Sequence, residues 1–123
     1  MRRINVSLHQ RIRPIDVDRL GPLGTMVLDV LADIEPAPIQ KLNQKMARDK
    51  SQMTRTIKLL ESKKLIVRDP SPEDGRTGIL SLTPKGRTFV QEVRRAMSEL
   101  MREVLEPITP EQREQLLELL KQL

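Results

Sequence analysis

Apolar residues recur at helical spacing along most of this chain and give way to short β-prone runs near its middle. In 22-PLGTMVLDVLADIEP-36, Leu23, Val27, Val30, Leu31 and Ile34 share one face, and Glu35-Pro36 followed by Pro38 ends the segment, because a residue before proline is pushed out of the helical region. The pattern predicts one amphipathic helix. Ile39, Leu42 and Met46 mark a short second helix through 39-IQKLNQKMAR-48. Asp49 then stands at an N-cap position, with Gln52 three residues on as its capping-box partner, ahead of Met53, Ile57 and Leu60. A third helix therefore starts after a tight break and runs from Lys50 to about Lys63. The pair reads as helix-turn-helix.

Beyond it, 65-LIVRD-69 and 79-ILSL-82 read as the two strands of a hairpin with a long loop. Pro70, Pro72 and Gly75 break regular structure there and project Asp74 and Arg76 at the tip. Thr83 is a good N-cap and Pro84 suits a first helical position, so a helix starts at once. Its stripe is Phe89, Val90, Val93, Met97, Leu100, Met101 and Val104, until Pro107 stops it. The stretch 109-TPEQ-112 opens a last helix carrying Leu116, Leu117, Leu120 and Leu123. Two such helices expose more apolar surface than one small core can cover. The economical solution is a homodimer with Val104, Leu116, Leu117, Leu120 and Leu123 in the interface. The alternative is a hairpin of the two helices within one chain, against which Leu119, Leu120 and Leu123 widen the stripe beyond one partner.

A helix-turn-helix followed by a hairpin is the winged-helix order. The expected fold is mainly α with a short two-stranded β wing, flanked by dimerisation helices. The chain divides into an N-terminal arm or short helix (1–20), a winged helix-turn-helix region (21–88) and a C-terminal helical region (89–123), all in one compact domain. Residues 1–20 receive no firm assignment, since Ile4, Val6 and Leu8 alternate as in a strand while Pro14 interrupts any long helix.

The outward face of the third helix carries the candidate chemistry. With Met53, Ile57 and Leu60 turned inward at about 100° per residue, Ser51, Arg55 and Lys58 fall opposite them, and Gln52 and Thr54 lie on the flanks. Hydroxyl, amide and guanidinium groups so placed suit hydrogen bonds to base edges and phosphates in a major groove. An ordinary solvated face satisfies the same pattern. Arg76 could enter the adjacent minor groove, because a narrow minor groove attracts guanidinium. A local ion pair with Asp74 is compatible with that role.

Charge sharpens the picture. The 123 residues carry a net charge of +5, distributed as +3 over 1–20, −3 over 21–38, +7 over 39–88 and −2 over 89–123. A basic middle between acidic stretches fits a nucleic-acid-facing module mounted on a scaffold, and a solvated lysine-rich surface fits it equally. The chain has no cysteine and one histidine, His9, which removes disulfides and thiolate chemistry and leaves little for zinc or acid-base work. No nucleophile–base pair or phosphate-cradling loop organises the carboxylates, so neither an enzyme nor a cofactor is expected. No apolar run approaches the roughly 20 residues of a membrane span, and the N-terminal stretch lacks an apolar signal core. A soluble cytoplasmic protein is the expectation.

These residues resemble the MarR family of winged-helix transcriptional regulators from about Leu20 to Leu123. In 72-PEDGRTGILSLTPKG-86, Asp74, Arg76, Leu82, Thr83 and Gly86 occupy the places of the family's wing signature, and 48-RDKSQMTRTIKLLESKKL-65 is similar to its recognition helix. The resemblance implies a homodimer held by N- and C-terminal helices, reading an inverted-repeat operator on double-stranded DNA and often released from it by a small-molecule effector. It puts a minor-groove role on Arg76 and an orienting role on Asp74. Two departures stand out. Lys64 occupies a position usually filled by glycine at the end of the recognition helix, and the region before Leu20 is shorter than the family's first helix. The resulting expectation is a dimeric sequence-specific DNA-binding regulator, most often a repressor in such families. The alternative is a winged-helix dimer that docks an acidic protein partner.

With no cysteine, mild peroxide should leave operator binding intact, because the thiol oxidation ladder is closed to this chain. Mobility-shift assays before and after peroxide check this. Release that a thiol reductant reverses, without methionine sulfoxide reductase, would contradict it.

Overall fold

The computed structural model describes residues 10–11, 13–16, 18–70 and 78–122. In chain order its elements are α1 (Gly21–Ile34), β1 (Ala37–Pro38), α2 (Ile39–Met46), α3 (Lys50–Ser62), β2 (Ile66–Pro70), β3 (Gly78–Leu82), α4 (Pro84–Leu105) and α5 (Pro110–Lys121). His9, Asp74, Arg76, Leu123 and the alternating Ile4, Val6 and Leu8 lie outside the described residues.

Helix starts need acceptors for their first N–H groups, and α1, α3 and α5 find them in different ways. Leu20 at the N-cap of α1 has no side-chain acceptor. Asp16 substitutes, its carboxylate accepting from the amides of Leu20 at 2.8 Å and Gly21 at 3.0 Å. Asp49 caps α3 by accepting from the Gln52 amide at 3.1 Å. That is the Asp49 half of the expected capping box. The full box forms at α5, where Thr109 accepts from the Gln112 amide at 3.1 Å and the Gln112 side chain accepts from the Thr109 amide at 2.9 Å.

The core gathers the inward faces of these helices. Val27, Leu28 and Leu31 of α1 meet Leu42 of α2, Met53, Ile57 and Leu60 of α3, Leu65, Ile66, Leu80 and Leu82 of the sheet region, and Phe89, Val90 and Val93 of α4. Each full burial of a side chain this size contributes about 1.5–3 kcal/mol relative to exposure. The centre of the α1 face lies at Val27, Leu28 and Leu31, whereas Leu23, Val30 and Ile34 are only partly buried. Leu28 was not in the stripe read from the sequence.

The sheet has three strands, in the order β1-β3-β2, all antiparallel. The sequence predicted two. Ala37 and Pro38 form the third, pairing with Leu80 and Ile79. Prolines there read as helix terminators, yet an edge strand can hold a proline because its missing N–H is not needed by a second neighbour. Central β3 buries Gly78, Leu80 and Leu82 and leaves Ile79 and Ser81 half-exposed.

The exit from α3 is a Schellman turn. Lys64 adopts the left-handed conformation (φ 60°), the Leu65 amide donates to Leu60 O at 3.0 Å, and the Lys64 amide donates to Glu61 O at 3.0 Å. The first turn of α4 then closes on this exit. The Thr83 amide donates to Leu65 O at 3.1 Å, the Thr83 hydroxyl donates to Lys64 O at 2.6 Å, and Lys85 Nζ donates to Lys63 O at 2.9 Å. The same Thr83 oxygen accepts from the Gly86 amide at 3.0 Å. A Cβ on Gly86 would stand 2.2 Å from Leu65 O, so only glycine permits this approach.

Past the core, α4 exposes Met97, Met101 and Val104. Helix α5 buries no residue: Leu117, Leu119 and Leu120 are 51%, 61% and 53% exposed, and Leu116 is half-buried. The two helices are not zipped into an intramolecular hairpin. Arg11 pairs with Glu103 and ties the segment before α1 to the far part of α4. No helix among the described residues is long and apolar enough to cross a membrane.

Ala47, the C-cap of α2, is also left-handed (φ 50°), and like Lys64 it is exposed. A side chain in that conformation costs about 1–2 kcal/mol, offset in part by the greater freedom glycine would have when unfolded. Ala47→Gly and Lys64→Gly should therefore each raise stability by roughly 0.5–1 kcal/mol. Urea melts at fixed protein concentration check it. A lowered midpoint at unchanged slope would contradict it.

Candidate nucleic-acid interface

Burial of Met53, Ile57 and Leu60 turns the remaining faces of α3 outward. Ser51, Gln52, Thr54, Arg55 and Lys58 are all exposed, which places five of the seven proposed DNA-contacting residues on one helix surface. Thr54 donates its hydroxyl to Lys50 O at 2.9 Å, so its oxygen is left as an acceptor towards solvent. Lys50, Ser51, Thr54 and Arg55 line an open depression of about 560 Å³ at the first turn. Lys50 was not singled out from the sequence, since its position beside the N-cap drew attention to Asp49. The other two residues, Asp74 and Arg76, lie outside the described residues, in the connection between strands whose pairing runs out to Pro70 and Gly78.

The base of the wing is fixed to α3 by a contact the sequence did not reveal. Arg68 of β2 pairs with Glu61 of α3 at 2.6 Å. To reach it, the Arg68 side chain crosses Gly78, where an added Cβ would lie 2.1 Å from Arg68 Cγ. Glycine at 78 keeps that path open, so the wing and the helix share a common footing.

The distribution of ion pairs accounts for the charge pattern. All three acids of residues 21–38 face α4: Asp29 and Asp33 hold Arg94 at 2.7 and 3.1 Å, and Glu35 holds Arg87 at 2.9 Å. Glu35 also accepts from the Leu82 amide at 3.1 Å, joining α1, β3 and α4 through one carboxylate. Just before α1, Asp18 pairs with Lys85 at 2.9 Å. In contrast, Lys41, Lys45, Arg48, Lys50, Arg55 and Lys58 make no ion pair among the described residues. The acids are therefore engaged inside the molecule while the helix-turn-helix keeps its cations outward. Hydrogen bonding to Asp29, opposed by desolvation and then supported by the hydrogen bond to Asp33, raises the pKa of Arg94 above its ordinary value. The guanidinium therefore stays charged throughout the neutral range, and its own titration does not open the contact there.

Two helices across a tight turn, their second helix exposed, and a β hairpin footed on that helix define a winged helix-turn-helix. The chain is similar to the MarR family, whose family model matches residues 24–77. It is 33% identical over 79 residues, 64% of this chain, to the uncharacterized HTH-type transcriptional regulator YdgJ of Bacillus subtilis (strain 168). This chain spans 48% of that protein's length. The fold superposes on YusO of Bacillus subtilis with a TM-score of 0.83 at 24% identity, covering 98% of this chain and 84% of that one. It superposes with a TM-score of 0.76 at 22% identity on a mutant MarR from E. coli complexed with operator DNA, covering 98% and 85%.

Proposed function

We propose that the chain acts as a dimeric, sequence-specific DNA-binding transcriptional repressor, with α3 in the major groove of each half of an inverted-repeat operator. The observation that carries this reading is the α3 surface, where Ser51, Gln52, Thr54, Arg55 and Lys58 are exposed together while the neighbouring acids are engaged with α4. Asp74 and Arg76 supply the wing's minor-groove contact. The uncovered apolar side chains of α4 and α5, Met97, Met101, Val104, Leu117, Leu119 and Leu120, support a second copy as their cover. The operator DNA bound to the E. coli structural neighbour supports the same ligand class here. A small-molecule effector that releases the operator completes the proposal. Phe89 is already 8% exposed in the core and the chain has no Tyr or Trp, so that effector meets aliphatic and methionine side chains rather than a stacked ring.

Selection from a random duplex library tests the function itself, with recovery of an inverted repeat as the expected result. Enrichment of no motif, together with capture of acidic proteins, favours the protein-docking alternative.

The two arginines should separate on that operator. Arg55→Ala should cost about 1–3 kcal/mol on the selected sequence and less on scrambled DNA, because it removes a base-edge contact. Arg76→Ala should weaken both duplexes more evenly and flatten the log–log salt dependence by about one unit per chain. Equal losses on both duplexes for Arg55→Ala would make α3 a phosphate clamp instead.

Removal of residues 107–123 should abolish dimerisation and operator binding together, as read by sedimentation and mobility shift. A truncated chain that still sediments as a dimer and binds normally would take α5 out of the interface.

A further inference from the structure

We infer that Arg94 is a positioning residue that sets the spacing between operator half-sites, by clamping α4 to α1; this rests on the dimeric DNA-binding reading above. Val93 is the last α4 side chain in the main core cluster. At the next position Arg94 leaves the core and reaches across to α1 three times, with Nε donating to Asp29 Oδ1 at 2.7 Å and Nη2 donating to Asp29 O and Asp33 Oδ1, each at 3.1 Å. Two carboxylates four residues apart on one helix face form a directional seat for a planar guanidinium. Apolar contacts through Phe89, Val90 and Val93 are non-directional and act as a pivot. Arg87 holding Glu35 two turns earlier supplies the second fixed point. These two points, together with the buried Ala96 and Leu100 and the Arg11–Glu103 pair further along, set the line that α4 takes from the head that carries α3.

The lever makes that line consequential. From Arg94 to Leu105 the helix extends roughly 16 Å. A swing of about 10° about the pivot moves its end by about 3 Å, close to the ~3.4 Å rise of one base pair. The apolar residues offered to a second copy, Met97, Met101, Val104 and those of α5, lie on the far side of Arg94 in the chain. A small change in the clamp therefore becomes a change of about one base pair in the separation of the two reading helices. Because the clamp is solvent-exposed, it contributes modestly to stability and chiefly to direction.

The test is selection of operators, with half-site separation left free, by the full-length wild type, Arg94→Ala, Arg94→Lys, Asp33→Asn and the charge swap Arg94→Asp with Asp29→Arg. Wild type should select one separation. Arg94→Ala should select the same half-site sequence with a broadened or shifted separation, its discrimination against a one-base-pair change falling on the order of 3- to 5-fold. Affinity for a single half-site should be unchanged. Arg94→Lys and Asp33→Asn, which keep part of the seat, should fall between, and the charge swap should restore part of the preference. An unaltered separation in Arg94→Ala and Asp33→Asn overturns the inference. Equal weakening of single and paired half-sites in those variants also overturns it, since that marks a general structural role. Recovery of no repeat by the wild type sinks the dimeric regulator reading itself, and this inference with it.

Discussion

The close approach of Gly86 to the carbonyl of Leu65 is the constraint on which the rest of the molecule turns. Three successive carbonyls leaving α3 point away from their own helix and require donors. The start of α4 provides all three, through the Thr83 amide, the Thr83 hydroxyl and the Lys85 ammonium. One hydroxyl thereby ends one helix and begins another, since Thr83 Oγ1 also accepts from Gly86. The orientation of α3 is consequently set by the same atoms that launch the longest helix of the chain. A methyl group at position 86 would force these apart.

Around that joint the charges are sorted by task. Acids of α1 and the segment before it are matched to cations in the first half of α4, whereas the cations of α2 and the face of α3 are left to solvent. The matched pairs are exposed, so their energetic contribution is small. Their value lies in removing negative potential from the neighbourhood of a surface suited to a polyanion. The net charge of +5 understates this effect, because the cancelling charge is located elsewhere in the molecule.

Much of this was legible in the sequence, for definite reasons. Asp49 and Thr83 announced helix starts because caps are local chemistry, and the inward series Met53, Ile57, Leu60 fixed the outward face of α3 by periodicity alone. Lys64 was legible as a strained exit only through the resemblance, which expects glycine there, and the left-handed φ follows from the Schellman turn. What escaped was non-local. Strand β1 has two residues, too few for alternation, and owes its existence to the free edge of β3. Asp16 caps α1 from four residues before Leu20, and Glu35 serves three elements at once. Arg68 lying across Gly78 depends on a turn of chain that brings β2 beside β3. The proposed wing contacts at Asp74 and Arg76 rest on the sequence, since the described residues stop on either side of them.

The capping box at Thr109 and Gln112 has a kinetic meaning. A helix of twelve residues with no buried side chain is marginal when left to propensity alone. Reciprocal bonds at its first turn favour the helical state before anything covers it. A partner surface that meets α5 then encounters a segment already ordered, and less conformational entropy is lost in the encounter. For the proposed second copy this means docking of a preformed helix instead of folding upon contact, an association limited by orientation more than by the search of a disordered tail for its structure.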